Sequence, residues 1–260
     1  MDPLSDTWLE YLRAEGVAAN TIARRAAVLR SIGIAGTATL EQVEHWWASR
    51  RDRSPATRAN DLACLRTFYR WAQRWDHRHD DPTRRIDAPK VPRGQPHPLG
   101  KADLRKLLAG LPDDLRRAVA LGAYAGLRVS EVAALDWADV DTEARRARVT
   151  GKGQKTRLVA LGVVLIDELL PRTGGNVVMA GGPAQTGGTL QRRVNRAIHR
   201  LGVEATFHSL RHRYGTLAYQ ETKDLVAVGR QMGHSSPVTT AIYAAASDDI
   251  ADVIAEAVAR

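Results

Sequence analysis

Apolar residues recur at spacings of three and four over Leu4–Glu15, Asn20–Ile32, Leu40–Arg50 and Thr57–Trp75. That period predicts four helices, each burying one face. Ser5, Asn20 and the pair Ser54-Pro55 stand near the expected helix starts, where a short polar side chain can accept from free backbone N–H groups and a proline fits the first turn. In the fourth segment Leu62, Leu65, Phe68, Tyr69 and Ala72 form the stripe expected to be buried, and Arg58, Arg66, Arg70 and Arg74 lie largely elsewhere on its surface. An arginine-bearing helix face is ordinarily solvated, but it can also lie along nucleic acid. Trp46, Trp47, Trp71 and Trp75 read as packing between helices, and Cys64, the single cysteine, as a small core residue.

The periodicity stops between Asp80 and Pro98, where Pro82, Pro89, Pro92, Pro96 and Pro98 alternate with Arg84, Arg85, Lys90 and Arg93. Such a stretch cannot continue a helix and predicts an extended linker, here taken as residues 81–98. The cluster His77, His79, Asp80 and Asp81 beside it reads as solvated rather than as a metal site. Beyond Leu99, helices are predicted over Lys101–Leu111 and Asp113–Ala125, with another starting near Val129. Short strands follow at Arg146–Thr150 and Thr156–Leu161, joined by the turn Gly151-Lys152-Gly153-Gln154, and a third at Asn176–Ala180. From Thr189 onward the chain reads as successive helices. The fold class expected is mainly α with a small antiparallel β-sheet in the C-terminal domain.

Composition narrows the partners. No run approaches the roughly 18 apolar residues of a membrane span, no secretory leader is recognisable, and one cysteine cannot form an internal disulfide. These features lead us to expect a cytoplasmic protein without a membrane partner. The net charge is +9 in 260 residues, which favours a polyanion. It is unevenly placed: residues 1–95 carry 16 basic and 12 acidic side chains, residues 96–246 carry 21 and 13, and residues 247–260 carry 1 and 4.

Four motifs in the second region carry candidate chemistry. Arg128 sits in Ala125-Gly126-Leu127-Arg128-Val129-Ser130-Glu131, at the mouth of a helix. Gly151-Lys152-Gly153 places a lysine at a hairpin tip. His208-Ser209-Leu210-Arg211-His212 puts His208 and Arg211 on one helix face. Met232-Gly233-His234 precedes Tyr243 by nine residues from the histidine. Each has an ordinary structural explanation by itself: a surface arginine, a glycine turn, a core tyrosine. His208 and His212 have the spacing of a zinc pair, but the acidic residue of the His-Glu-x-x-His motif is missing, so no metal or other cofactor is expected.

Taken in order, Arg128, Glu131, Lys152, His208, Arg211, His234 and Tyr243 resemble the catalytic set of the tyrosine recombinases, the group that includes phage integrases, Xer recombinases and Cre. The resemblance covers residues 99–245. It implies a two-domain DNA-breaking-rejoining enzyme fold: a helical core-binding domain at 1–80, the linker at 81–98, the catalytic domain at 99–246 and a C-terminal helix at 247–260 that docks on a neighbouring subunit. It further implies Tyr243 as the nucleophile, Arg128, Arg211 and His234 as donors to the non-bridging phosphate oxygens, Lys152 as general acid, His208 as a proton-transfer aid and Glu131 as an orienting group. Arginines suit that task because their planar, always-charged forks match phosphate. The product would be a 3′-phosphotyrosyl bond with a free 5′ hydroxyl. The partners implied are a double-stranded DNA core site, a homo-tetramer on two such sites exchanging strands through a Holliday junction, and an excision or directionality factor. DNA contacts are expected from Arg58, Arg66, Arg70, Arg84, Arg85, Lys155, Arg157, Arg192 and Arg193.

Overall fold

A computed structural model describes residues 1–92, 98–171, 174–179, 182, 184–234 and 240, with the Lys152 side chain excepted. The chain divides into two compact units, Met1–Arg93 and Gly94–Arg260.

The first unit holds α1 (Pro3–Ala14), α2 (Ala19–Ile32), α3 (Leu40–Ala48) and α4 (Pro55–Arg74). Its core is the predicted one, for Leu62, Leu65, Phe68, Tyr69 and Ala72 are all 1% exposed or less, and Trp8 meets Phe68 edge-on at 5.4 Å. Two of the three caps differ from the prediction. Asp2, not Ser5, caps α1, accepting from the Ser5 backbone N–H (3.1 Å) and the Ser5 hydroxyl (2.6 Å), because Pro3 takes the first helical position. α2 starts after Ala18 with no side-chain cap, and Asn20 lies within its first turn. Ser54 caps α4 as expected. Trp46 and Trp71 are buried, Trp47 is partly so, and Trp75 is 53% exposed because it lies at the C-cap of α4, past the buried stripe. Cys64 is only partly buried, and desolvation still pushes its thiol up to about 11.

The segment expected to open the linker instead packs on this unit. Thr83 is fully buried and Ile86 is 5% exposed within its core. Asp81 accepts from the Thr83 backbone and hydroxyl at 2.8 and 2.6 Å, and Arg66 donates to the Ile86 carbonyl at 2.6 Å. One apolar anchor, Ile86, turns a Pro- and Arg-rich stretch into part of the fold. The neighbouring histidines and aspartates are engaged locally: His77 stacks on Trp71 at 5.0 Å and Asp80 pairs with Arg78 at 2.8 Å. Among the described residues no cluster could hold a metal ion, and no helix is long and apolar enough to cross a membrane.

The second unit is built on α6 (Asp113–Ala125), which is buried nearly all round. Around it lie α5 (Lys101–Gly110), α7 (Val129–Ala134), α8 (Val163–Leu169), α9 (Gly187–Arg200), α10 (Phe207–Thr222) and α11 (Leu225–Met232). The sheet is antiparallel in the order β1 (Val140–Asp141), β2 (Arg146–Thr150), β3 (Thr156–Ala160). Ala147 pairs with Val159, and both face the core. The third strand is therefore β1 rather than Asn176–Ala180. Asn176 makes only an isolated bridge to Asp136, while its buried amide donates to the Ala133 and Leu135 carbonyls and its oxygen accepts from Met179; Ala180 lies outside the described residues. A turn held by a side chain replaces the ladder. α8 was not foreseen; it is only seven residues long and buries Leu165 and Leu169.

One glycine fixes how α10 approaches the end of α6. Gly126 ends α6 at φ 65°, and a Cβ there would lie 2.4 Å from the Tyr214 ring. Both the backbone and the space exclude a side chain. Gly126→Ala is expected to destabilise the fold by about 1–3 kcal/mol, read by urea unfolding. An unchanged midpoint would mean that Tyr214 moves aside without strain.

Candidate active site

The site grows from two helix ends. After Gly126, the fully buried Leu127 pins the chain, and Arg128 stands at the N-cap of α7 in extended backbone. Glu131, in the first turn, accepts from the Arg128 backbone N–H at 2.9 Å and from its guanidinium at 3.0 Å. A carboxylate is favoured at this helix end, where backbone N–H groups point outward. The Glu131 side chain is 1% exposed and the Arg128 side chain 36%.

The second end is the C-terminus of α11, closed by Gly233 in the left-handed region. Its last carbonyls have no partner within the helix and carry partial negative charge. Three guanidinium groups converge on them. Arg157 donates to the Gln231 carbonyl at 3.0 Å, Arg211 to Met232 at 2.8 Å, and Arg128 to Met232 and Gly233 at 3.3 and 2.7 Å. Arg211, 3% exposed, also donates to the Gly126 carbonyl and so ties the ends of α6 and α11 together. Arg157 meets Glu131 with both of its terminal nitrogens at 2.9 Å. A Cβ at Gly233 would lie 2.7 Å from the Arg157 guanidinium carbon, so the glycine of Met232-Gly233-His234 also makes room for that side chain.

The imidazoles surround this knot. His208 and His212 meet edge to face with ring centroids 4.2 Å apart, and Nδ1 of His234 hydrogen-bonds the Thr240 hydroxyl at 2.8 Å. Burial, then Arg211 and Arg128, lowers His208. Burial, then the His208 ring and Arg211, lowers His212 to about 4. Burial, then Arg211, Arg128 and Arg157, lowers His234 to about 4. At neutral pH these rings are uncharged. Glu131 is opposed by its burial, but hydrogen bonds from Arg157 and Arg128 outweigh that and hold it below the usual carboxylate range.

The histidine shifts have a sign that can be tested. A histidine whose folded pKa lies below its unfolded value of about 6.5 binds more protons unfolded. Its contribution to stability is present above pH 6.5 and is lost as pH falls toward 4. Ring-proton titration is expected to place His212 and His234 near pH 4, with the unfolding midpoint falling between pH 6.5 and 4.5. Titration of both rings near 6.5 would refute it.

Of the expected site residues, Arg128, Glu131, His208, Arg211 and His234 come together on α7, α10 and the end of α11. Lys152 opens a short 3₁₀ turn, Lys152–Gln154, at the tip of the β2–β3 hairpin. Tyr243 and residues 247–260 lie outside the described residues. The arginines grouped as DNA contacts divide. Arg70, Arg84, Arg85, Lys155 and Arg192 are exposed. Arg58 stacks over Trp47 at 4.4 Å and Arg66 holds the Ile86 carbonyl. Arg193 pairs with Asp114 at 2.5 Å, and Arg157 belongs to the site itself. The guanidinium groups of these last two pair with carboxylates within the unit. Sequence reasoning missed Arg157 as a site residue, although strand alternation places it on the same face as the buried Val159. It also missed Thr240, which no motif marks.

The arrangement offers convergent guanidinium forks, neutral imidazoles and a lysine on an adjoining hairpin. Its chemistry suits stabilising negative charge on oxygens such as the non-bridging oxygens of a phosphodiester. Comparison with known proteins agrees in kind. Residues 99–249 match the model of the phage integrase family. The tyrosine recombinase XerC of Pseudomonas aeruginosa is 30% identical over 92% of this chain and 88% of its own length. XerC of Xanthomonas campestris pv. campestris is 32% identical over 75% of this chain, and the chain spans 65% of that relative's length. Among solved structures, a lambda integrase tetramer bound to a Holliday junction is similar in fold, with a TM-score of 0.73, 19% identity, and coverage of 90% of this chain and 77% of that one.

Proposed function

Because the chain belongs to the phage integrase family, whose relatives here are tyrosine recombinases, we propose that it cuts and rejoins double-stranded DNA at a specific core site through a covalent bond to Tyr243. The observation that carries this reading is the convergence of Arg128, Arg211 and His234 around the end of α11, with His234 nine residues before that tyrosine. The Tyr243 oxygen attacks the scissile phosphorus in line, and the bond to the 5′ oxygen breaks. Arg128 and Arg211 take the charge that grows on the non-bridging oxygens, with His234 as a further donor. Lys152 gives a proton to the departing 5′ oxygen, and His208 aids removal of the phenolic proton. Glu131 orients Arg128. The bond energy is kept in the 3′-phosphotyrosyl linkage, so rejoining needs no nucleotide and no metal.

A 5′ hydroxyl from a second duplex then replaces the first, and cleavage becomes strand exchange through a Holliday junction in a homo-tetramer on two sites. The lambda integrase tetramer bound to a Holliday junction supports this assembly. Residues 247–260 dock on a neighbouring subunit, the first unit binds the core DNA, and the reaction proceeds in the bacterial cytoplasm. The biological outcome proposed is integration and excision of a phage or mobile element, with an excision factor setting direction. The XerC names of the relatives favour a second reading, resolution of dimeric replicons. Recombination between two sites on one plasmid versus two plasmids separates them.

The test is incubation with a nicked suicide duplex carrying the core site beside the gene. A protein–DNA band that survives SDS, with the label carried by the strand on the 5′ side of the break, whose 3′ end is linked to the protein, is the expected result. Tight binding to that duplex without a band would turn the reading to a DNA-binding protein that lacks catalysis, and turnover on any supercoiled plasmid to a type IB topoisomerase.

A further inference from the structure

Arg157 has no role in the mechanism just described, yet among the described residues it makes the most complete ion pair in the second unit. Its two terminal nitrogens each sit 2.9 Å from a Glu131 oxygen, and its Nε donates to the Gln231 carbonyl at 3.0 Å. The Glu131 side chain is 1% exposed and that of Arg157 16%. Glu131 therefore faces two guanidinium groups, Arg157 on one side and Arg128 on the other. Away from water, a carboxylate must be neutralised by a close cation.

We propose that Arg157 is a positioning residue that neutralises Glu131 so that Arg128 keeps its charge for the scissile phosphate. Without it, the buried carboxylate would have Arg128 as its near counter-ion, and the attraction would hold Arg128 down and cancel its charge. With it, the group of Arg128, Glu131 and Arg157 carries one net positive charge, and Glu131 can orient Arg128 without consuming it. The hairpin shares in the arrangement. A Cβ at Gly151 would lie 3.2 Å from Oε1 of Glu131 and 3.6 Å from Nη1 of Arg157, so the first glycine of Gly151-Lys152-Gly153 packs directly on the pair. The inference rests on the proposed function for its reaction but not for its electrostatics, so it can be tested with and without catalysis.

The reaction test compares adduct formation on the suicide duplex for the wild type, Arg157→Met, Glu131→Gln and the double variant. Arg157→Met is expected to slow cleavage on the order of 100-fold with duplex affinity unchanged, and the double variant to match Glu131→Gln alone, because removing the carboxylate removes the need for its neutraliser. A packing role would make the double variant worse than either single one. The electrostatic test titrates inorganic phosphate, followed by the ring protons of His208 and His234. Arg157→Met is expected to bind it more weakly, and Glu131→Gln to restore binding in that background. If Arg157→Met does not fold, Glu131→Gln and the double variant carry both tests. Equal rates and phosphate affinities support the proposal. Wild-type behaviour of Arg157→Met, or a further loss on removing Arg157 from the Glu131→Gln protein, overturns it. Absence of an adduct from the wild type would count against the proposed function, and the phosphate titration would still decide this inference.

Discussion

Tyr243→Phe is expected to abolish the SDS-resistant adduct and all strand exchange while leaving duplex binding intact. The substitution removes one oxygen and keeps the ring, so whatever packing the ring has is preserved and only the nucleophile is lost. The effect should be total rather than partial, because phosphoryl transfer leaves little for a protein to do beyond presenting a nucleophile in line and stabilising charge. The second unit has three other tyrosines. Tyr214 lies against Gly126 with its hydroxyl pushed up by burial, Tyr124 is raised for the same reason, and Tyr219 is buried in the small cluster with Val228 and Met232. The raised phenols of Tyr214 and Tyr124 are poorer sources of phenolate than one with an unperturbed pKa near 10. An adduct that persists in Tyr243→Phe would require peptide mapping of the linked residue, and would transfer the nucleophile's role to whichever residue is found.

The sequence was most legible where one local signal decides the outcome. The stripe on α4 was readable because burial of Leu62, Leu65, Phe68, Tyr69 and Ala72 needs only helical spacing and one apolar partner surface. The β2–β3 hairpin was readable from alternation and a glycine turn. Less legible was structure set by a distant partner. Asn176 was read as part of a strand, but its amide is claimed by the carbonyls of Ala133 and Leu135, more than forty positions earlier. The α1 cap was misread by passing over the rule that proline prefers the first helical position, which makes Asp2 the cap. In the site, charge was visible and its destination was not. Arg157 and Arg193 look like any basic residue that could meet DNA, and only the fold shows them facing Glu131 and Asp114. The candidate site residues were singled out through their order along the chain, and that helix ends a hundred positions apart meet was visible only in three dimensions.

Arg211→Lys is expected to slow cleavage by roughly 1,000-fold and to lower stability by about 1–3 kcal/mol, although charge is conserved. The guanidinium joins two helix ends: it donates to the Gly126 carbonyl closing α6 and to the Met232 carbonyl closing α11. A planar fork spans both and keeps further N–H groups in a fixed plane, whereas an ammonium is a point charge on a flexible stem. Lysine could satisfy one carbonyl, leaving the other short of a donor in a place where the arginine is 3% exposed. The end of α11 would loosen, and with it the carbonyls that also hold Arg128 and Arg157. Arg128→Lys gives the contrast. Its side chain is 36% exposed, so a similar loss of rate should come with a smaller loss of stability. Urea unfolding of the two variants beside single-turnover cleavage on the suicide duplex separates the effects. Arg211→Lys within about tenfold of the wild-type rate would show that charge alone suffices at this position. The fork joining α6 and α11 would then serve the fold and not the reaction.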